Sequence, residues 1–407
     1  MDHETVEKLR VAIEAEFGRN APPEGFPNLP RIPAERYMDP AFFELERARV
    51  FDRSWLYVGT KWDFPETGSF KVFDNMGRAQ VLMVRGKDNR IRAFYNTCCH
   101  RGATVIRDEC GTAKGGRFSC QFHAWTYDLE GRLVGIPDKR DFANDPSLEN
   151  TGLHPIRCEE WCGFVFINLS DDAPDLLSWL GPVAEDFAWV DGLRPSHRRE
   201  RLLACNWRVA IEAFIEVYHI ATVHPETVGQ GLNHHGTVSN FYPHGHSRMI
   251  VPNPDWHDPD KVRPDNNGHD PAYGFRGEAS VSYNLFPNVL VPAGQTGFTL
   301  MEFWPVDATH TRLVTSCVEP DDIEDEPRKV RQDFFDTIMD EDTWNMEHIQ
   351  HSYQAPHFKG PKIGVHEKRI YYLEESIERM IGPEKVPDAL RVELLLDKYI
   401  VSTPQAV

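Results

Sequence analysis

Asn96-Thr97-Cys98-Cys99-His100-Arg101-Gly102-Ala103 and Cys120-Gln121-Phe122-His123-Ala124-Trp125 each carry a cysteine followed two or three residues later by a histidine. Both stretches lie in turns between runs that read as strands. The runs are Ser69-Phe70-Lys71-Val72-Phe73, Gln80-Val81-Leu82-Met83-Val84, Ile91-Arg92-Ala93-Phe94-Tyr95 and Gly163-Phe164-Val165-Phe166-Ile167. They are rich in β-branched and aromatic residues, with Gly68, Asn75, Gly77, Gly86 and Asn89 between or beside them. Two loops of this kind can clamp a compact metal group from two sides. On spacing alone the candidates are a [2Fe-2S] centre, with two thiolates on one iron and two imidazoles on the other, and a structural zinc held by Cys98, His100, Cys120 and His123.

Around this β-rich region the 407-residue chain changes character, and the length suits two domains. Residues 4–17 space Val6, Leu9, Ile13 and Phe17 for one face of a helix, and a second helix starts at Asp39-Pro40 after a proline-rich arm. Residues 175–190, 327–354 and 372–380 read as helices; 281–290, 299–305 and 311–318 read as sheet. Residues 229–275 read as long loops, a lid in one reading. The net charge is −19, which argues against nucleic acid and anionic membrane surfaces as partners. No run of about 18 apolar residues exists, so no membrane span is expected. Eight cysteines without a secretory pattern point to reduced thiols or metal ligands, and to the cytoplasm.

A second constellation lies at Glu212-Ala213-Phe214-Ile215-Glu216-Val217-Tyr218-His219-Ile220-Ala221-Thr222-Val223-His224-Pro225. Ile211, Phe214, Ile215 and Tyr218 form a core-facing helical stripe, with Glu212, Glu216 and His219 beside it. Carboxylates at i, i+4 repel unless a cation or a proton carrier is near. His219 and His224 lie about 140° apart on an ideal helix, so they converge only if the helix ends between them, and Pro225 favours such an end. Downstream, Val330, Phe334, Ile338, Asp342, Met346 and Ile349 share a helical stripe. This places Asp342 where its neighbours are buried, and a buried carboxylate needs a cation or protons. Asp340 and Glu341 are weaker substitutes.

These motifs together resemble the large subunit of Rieske non-haem iron (ring-hydroxylating) oxygenases, from about residue 37 to 380. The Cys-x-His and Cys-x-x-His loops, followed by Asp128-Leu129-Glu130-Gly131, resemble the Rieske domain; the 19 intervening residues are slightly more than is usual there. Asn206-Trp207-Arg208, Glu216, His219 and His224 resemble the iron motif. The resemblance implies an α+β fold: N-terminal helices (1–44) packing on the catalytic domain, a β-rich Rieske domain (45–165), and a mononuclear-iron domain (166–407) with an antiparallel sheet and helices. It implies a [2Fe-2S] cluster on Cys98, His100, Cys120 and His123, and Fe(II) on His219, His224 and Asp342. Glu216 stands where many ring dihydroxylases have Asp, a carboxylate that bridges a cluster histidine of one subunit to an iron histidine of the next. Some amine-oxidising members resemble this sequence there. Tyr218 reads as core packing, and Glu212 as either part of the same network or solvated.

The implied activity is insertion of oxygen from O2 into an aromatic or other hydrophobic organic substrate, with a quaternary amine as the alternative. Electrons would come from a separate NAD(P)H-dependent reductase, with or without a ferredoxin, because no Rossmann glycine pattern or plant-type ferredoxin cysteine run is present. The implied assembly is a homotrimer or a multiple of it, with or without a small subunit. Phe214 and Val217, with Leu285, Phe286, Leu290, Met301 and Phe303 further on, are candidate walls of an apolar pocket. An electron carrier that keeps the cluster without oxygenation is the rival from another class.

Overall fold

A computed structural model of the chain describes residues 1–401 apart from 191, 259, 261–271, 296 and 321–322. It forms two compact units, Asp52–Leu176 and a discontinuous unit of Met1–Phe51 with Leu177–Val407. The fold is α+β, with helices and antiparallel sheets.

The inserted unit is β-rich. Seven strands, Leu56–Thr60, Phe164–Asn168, Pro155–Trp161, Ile91–Tyr95, Val81–Arg85, Ser69–Phe73 and Cys110–Thr112, lie side by side in that order. A smaller sheet of Arg117–Ser119, Thr126–Asp128 and Leu133–Gly135 accompanies them. Phe70, Leu82, Val84, Phe94, Phe118 and Trp125 belong to the core that also buries Cys98 and Cys120.

The discontinuous unit is built on a second seven-stranded sheet. Six strands from Val238–Phe241 to His310–Glu319 follow one another as antiparallel neighbours, and Arg194–Leu203 pairs with the last of them. Residues 229–275, read from sequence as loops, thus contribute the strands Val238–Phe241 and Ser247–Pro252; residues 261–271 of that stretch lie outside the described residues. Polar residues such as Ser247, Arg248 and Asn240 are buried here and obscure the strand pattern.

Four more expectations are corrected. The helix begun at Trp207 stops at Glu212, well before His219. Residue 213 onward is turn, and a four-residue helix, Ile220–Val223, follows. Arg369 donates to the Ile215 carbonyl that a continuing helix would use. The helix predicted over 327–354 is two, Asp325–Thr343 and Met346–Ser352. Along the first of these, Val330 and Phe334 are exposed; the buried stripe is Phe335, Met339 and Asp342. Asp342 is therefore buried as expected, on a different face. Tyr218 is 64% exposed and is not core.

One ionic cluster ties the discontinuous unit together. Arg208 lies 3.2 Å from Glu46 and 3.3 Å from Glu374; Arg36 lies 2.7 Å from Glu374 and 2.7 Å from Glu378. Arg208 also donates to the Arg36 carbonyl. All five side chains are buried. They come from the N-terminal segment, the helix Trp207–Glu212 and the helix Lys368–Ile381. Breaking such a set by removing one partner leaves an uncompensated buried charge, which costs about 3–5 kcal/mol. Arg208→Met is expected to destabilise the protein by about that amount, read from the denaturation midpoint; Arg208→Met with Glu46→Gln should recover part of the loss.

Burial raises the pKa of Glu46 to about 7, against the lowering effect of Arg208 and Arg36; Glu374 adds to the rise. The folded chain then keeps a proton that the unfolded chain releases above its ordinary value of 4.5. Stability contributed by this group is expected to fall as pH rises from about 4.5 to about 7 and to level off above. Glu46→Gln should flatten that limb in denaturation midpoints measured across the range.

Candidate metal centres

The two cysteine–histidine loops are built alike. Cys98 accepts at its carbonyl from the Gly102 N–H (2.9 Å) and donates its own N–H to Ala103 (2.8 Å). Cys120 accepts from Ala124 (2.9 Å) and donates to Trp125 (2.9 Å). The fourth residue after each cysteine, Gly102 or Ala124, has a positive φ, 74° and 57°. This left-handed step turns the chain back sharply enough to put Cys and His of one loop on the same side.

Both cysteines are buried, and the His100 and His123 rings meet edge to face with centroids 4.7 Å apart. His100 stacks on Trp125 at 4.6 Å. Burial pushes the Cys98 thiol up, so a thiolate there requires a positive partner. The His100 Nδ1 atom is buried without a hydrogen-bond partner, and a buried nitrogen of that kind calls for a ligand. Both features fit a cluster held by two cysteines and two histidines. Tyr127, from the strand after the second loop, places its hydroxyl 3.0 Å from Cys98 Sγ and 3.2 Å from Cys99 Sγ. Sequence reading missed this tyrosine.

In the other unit, ligand-type atoms of His219, His224 and Asp342 all lie within 4.8 Å of one another. His219 and His224 flank the short helix Ile220–Val223 as its N- and C-caps. Their Nε2 atoms lie 3.4 and 2.9 Å from the same oxygen, Asp342 Oδ1. Each Nδ1 meets a different carboxylate. Glu216 Oε1 holds that of His219, and Glu341 Oε2 holds that of His224 at 2.7 Å. The other oxygen of Glu216 accepts from the backbone N–H groups of Tyr218 and His219.

Burial works against a proton on His219, but hydrogen bonds to Asp342 and Glu216 outweigh it and push the pKa up to about 10. The pocket thus demands positive charge between its carboxylates, and two imidazoles with one carboxylate fit Fe(II).

A cavity of about 230 Å³ opens beside His219 and Asp342. Its apolar wall includes Val209, Ala213, Val223, Met346, Ile349 and Ile370, and its polar wall includes Glu212, Glu216, Glu341, Glu367, Tyr353 and Lys362. None of the seven residues expected to line a pocket borders this cavity. Val217 packs with Ile220, Met249 and Val251; the Phe214 and Phe303 rings lie 5.4 Å apart; Leu285, Phe286, Leu290 and Met301 are buried, three of them on strands of the sheet. Glu212 is buried, accepts from the Tyr37 hydroxyl at 2.8 Å, and has its pKa raised first by burial and then by Glu374. It therefore belongs to the interior network and is not solvated.

Glu341 was read from sequence only as a weaker alternative ligand. Asp340-Glu341-Asp342 ends a helix whose last turn holds no base. Acids are disfavoured there by the helix dipole, and that mismatch is the signal that could have drawn attention to Glu341.

Comparison with known proteins agrees with this architecture. The family model "Ring hydroxylating alpha subunit (catalytic domain)" matches residues 189–383, and "Rieske [2Fe-2S] domain" matches residues 54–149. The chain belongs to the Rieske ring-hydroxylating oxygenase alpha-subunit family, whose two domain types imply a Rieske cluster and a mononuclear iron. It is 31% identical over 284 residues to the biphenyl 2,3-dioxygenase alpha subunit of Rhodococcus jostii, covering 67% of this chain and 56% of that one. It is 35% identical over 198 residues to the carnitine monooxygenase oxygenase subunit of Escherichia coli, covering 48% and 52%. The chain spans about half the length of the curated relatives it matches. Among solved structures, naphthalene 1,2-dioxygenase from Rhodococcus sp. bound to indole superposes with a TM-score of 0.73 at 19% identity, covering 94% of this chain and 99% of that one. A quaternary ammonium Rieske monooxygenase with L-carnitine gives 0.72 at 21%, covering 89% and 100%.

Hydrogen bonds to cluster sulfurs favour the reduced, more negative state. Tyr127→Phe is accordingly expected to lower the cluster's midpoint potential, measured by a redox titration followed by EPR.

Proposed function

We propose that this chain is the oxygenase component of a multicomponent Rieske oxygenase. It would insert oxygen from O2 into a small organic substrate, with electrons from NAD(P)H delivered by a separate reductase, with or without a ferredoxin. The observation that carries this reading is the convergence of His219 Nε2, His224 Nε2 and Asp342 Oδ1 beside a cavity. In this reading Cys98, His100, Cys120 and His123 hold the cluster, and His219, His224 and Asp342 hold Fe(II). Bound there, the iron would supply the open coordination positions that a two-histidine, one-carboxylate set leaves for O2, and the cluster would supply single electrons.

The chain's own residues do the rest. Glu216 accepts from His219 Nδ1–H and so keeps the Nε2 lone pair on the iron side. Its placement at the outer edge of that ring suits the role of linking to a cluster histidine of a neighbouring subunit in a homotrimer, or a multiple of it, with or without a small subunit. Val223, Met346, Ile349 and Ile370 would exclude water from one wall of the cavity. Among the described residues no helix is long and apolar enough to cross a membrane. Cys98, Cys99, Cys110, Cys120, Cys158, Cys205 and Cys317 form no disulfide among the described residues, which supports work in the cytoplasm.

An aromatic or other hydrophobic substrate is the first reading, supported by the apolar wall. The second is an amine cation. Glu367 and Tyr353, also in the cavity lining, favour it, because a cation is attracted to a carboxylate and to an aromatic ring.

The expected composition is three irons and two acid-labile sulfides per chain, with a Rieske EPR signal after dithionite. Substrate-dependent O2 uptake should follow when a reductase and NAD(P)H are supplied, and aromatic acids against quaternary amines would separate the two readings. Two irons per chain, with no further Fe(II) taken up, would instead leave an electron carrier.

A further inference from the structure

We propose that Glu341 is the positioning residue for His224, an inference that rests on the ligand reading above. One imidazole is gripped at both nitrogens by consecutive residues of a single helix. Glu341 Oε2 lies 2.7 Å from Nδ1, and Asp342 Oδ1 lies 2.9 Å from Nε2. Neighbouring side chains on a helix diverge by about 100°, which lets two adjacent acids reach opposite edges of a ring lying across the helix.

Thr227 completes the arrangement. Its hydroxyl donates to the same Glu341 oxygen at 2.5 Å, and its N–H donates to the His224 carbonyl at 3.3 Å. The chain after His224 thus folds back and pins the carboxylate against the ring. The His224 ring is dry, with a side chain 2% exposed, whereas the Glu341 side chain is 25% exposed. Glu341 can therefore stay ionised at the edge of water while it orients a buried imidazole.

The consequence is tautomeric. With Glu341 accepting from Nδ1–H, the lone pair of the neutral ring sits on Nε2, the nitrogen facing Asp342. Remove the acceptor, and a buried N–H is left unpaired while the ring loses its reason to hold that tautomer. Glu341 faces the nitrogen away from Asp342 and both of its strong contacts use one oxygen, so it acts through His224 and is not itself a ligand. The two histidines are secured differently. Glu216 is three residues from His219, whereas Glu341 is 117 residues from His224. The long-range grip joins the histidine segment to the helix that carries Asp342.

The test uses the full chain with its cluster intact and the mononuclear site stripped by a chelator. Co(II) is titrated anaerobically, and its d–d absorption and binding heat are read. Glu341→Ala is expected to weaken Co(II) binding about 10- to 100-fold and to change the d–d bands. Glu341→Gln, whose amide oxygen can still accept from Nδ1–H, should keep most of the affinity. Thr227→Val should fall between them. Asp340→Ala, on an adjacent side chain that is 75% exposed, should bind as wild type. Wild-type Co(II) binding by Glu341→Ala would overturn the proposal, as would equal losses in Glu341→Ala and Asp340→Ala or in Glu341→Ala and Glu341→Gln. His224→Ala is the separate control: if it binds Co(II) as wild type, the ligand reading itself falls.

Discussion

Two buried guanidiniums set against three buried glutamates are the constraint on which the catalytic unit depends. Arg36 and Arg208 sit where no water reaches them, and their partners Glu46, Glu374 and Glu378 come from segments at both ends of the chain. A charge in that position is tolerable only when its partners are at hydrogen-bond distance. The requirement fixes the start of the helix Trp207–Glu212, because Arg208 is its second residue and Asn206 caps it. Gln350 adds a second tether: its oxygen accepts from the Asn206 N–H at 2.8 Å and its amide donates to the Tyr37 carbonyl at 3.2 Å. The helix that leads into Glu216 and His219 is thereby joined to the helix that follows Asp342.

The convergence of His219 and His224 on Asp342 comes from a helix that stops early. Had it continued through 224, the two histidines would point about 140° apart. Arg369 takes the Ile215 carbonyl, and Glu216 turns its carboxylate onto the N–H groups of Tyr218 and His219. The chain then re-enters a single turn of helix with a histidine at each end. Both Nε2 atoms reach one Asp342 oxygen because the intervening helix is only four residues long. Three backbone groups at the break, the Ile215 carbonyl and the Tyr218 and His219 N–H groups, are taken up by side chains, so the break is a specified structure.

Residue types and spacing made much of this legible. Four ligand-type residues in two loops, and Glu216, His219 and His224 in one segment, could be named because their chemistry depends on local spacing. The strands of the inserted unit followed from runs such as Ser69–Phe73 and Ile91–Tyr95. What stayed hidden depended on partners remote in sequence. Helical periodicity runs through residue 218, and the Arg369 that interrupts it is 154 residues from Ile215. Val330 and Phe334 fit a buried stripe as well as Phe335 and Met339 do; only the packed surface chose between them. The cavity walls were mistaken for the same reason. Apolar residues on the central strands were offered as lining, but they are the interior of the sheet, and the cavity borrows its walls from helices near both histidines and from the segment 361–370.

The inserted position of the β-rich unit also sets an order of events during synthesis. Arg36 and its partner Glu374 are separated by 338 residues. At roughly 5–20 residues per second, the ribosome needs roughly 17 to 70 s to make the second after the first. Residues 52–176 emerge complete within that interval and carry their own core, so they can fold while the first 51 residues still lack the acids that neutralise Arg36. The nascent chain therefore carries a unit able to finish folding while the buried guanidinium of Arg36 still awaits Glu374 and Glu378.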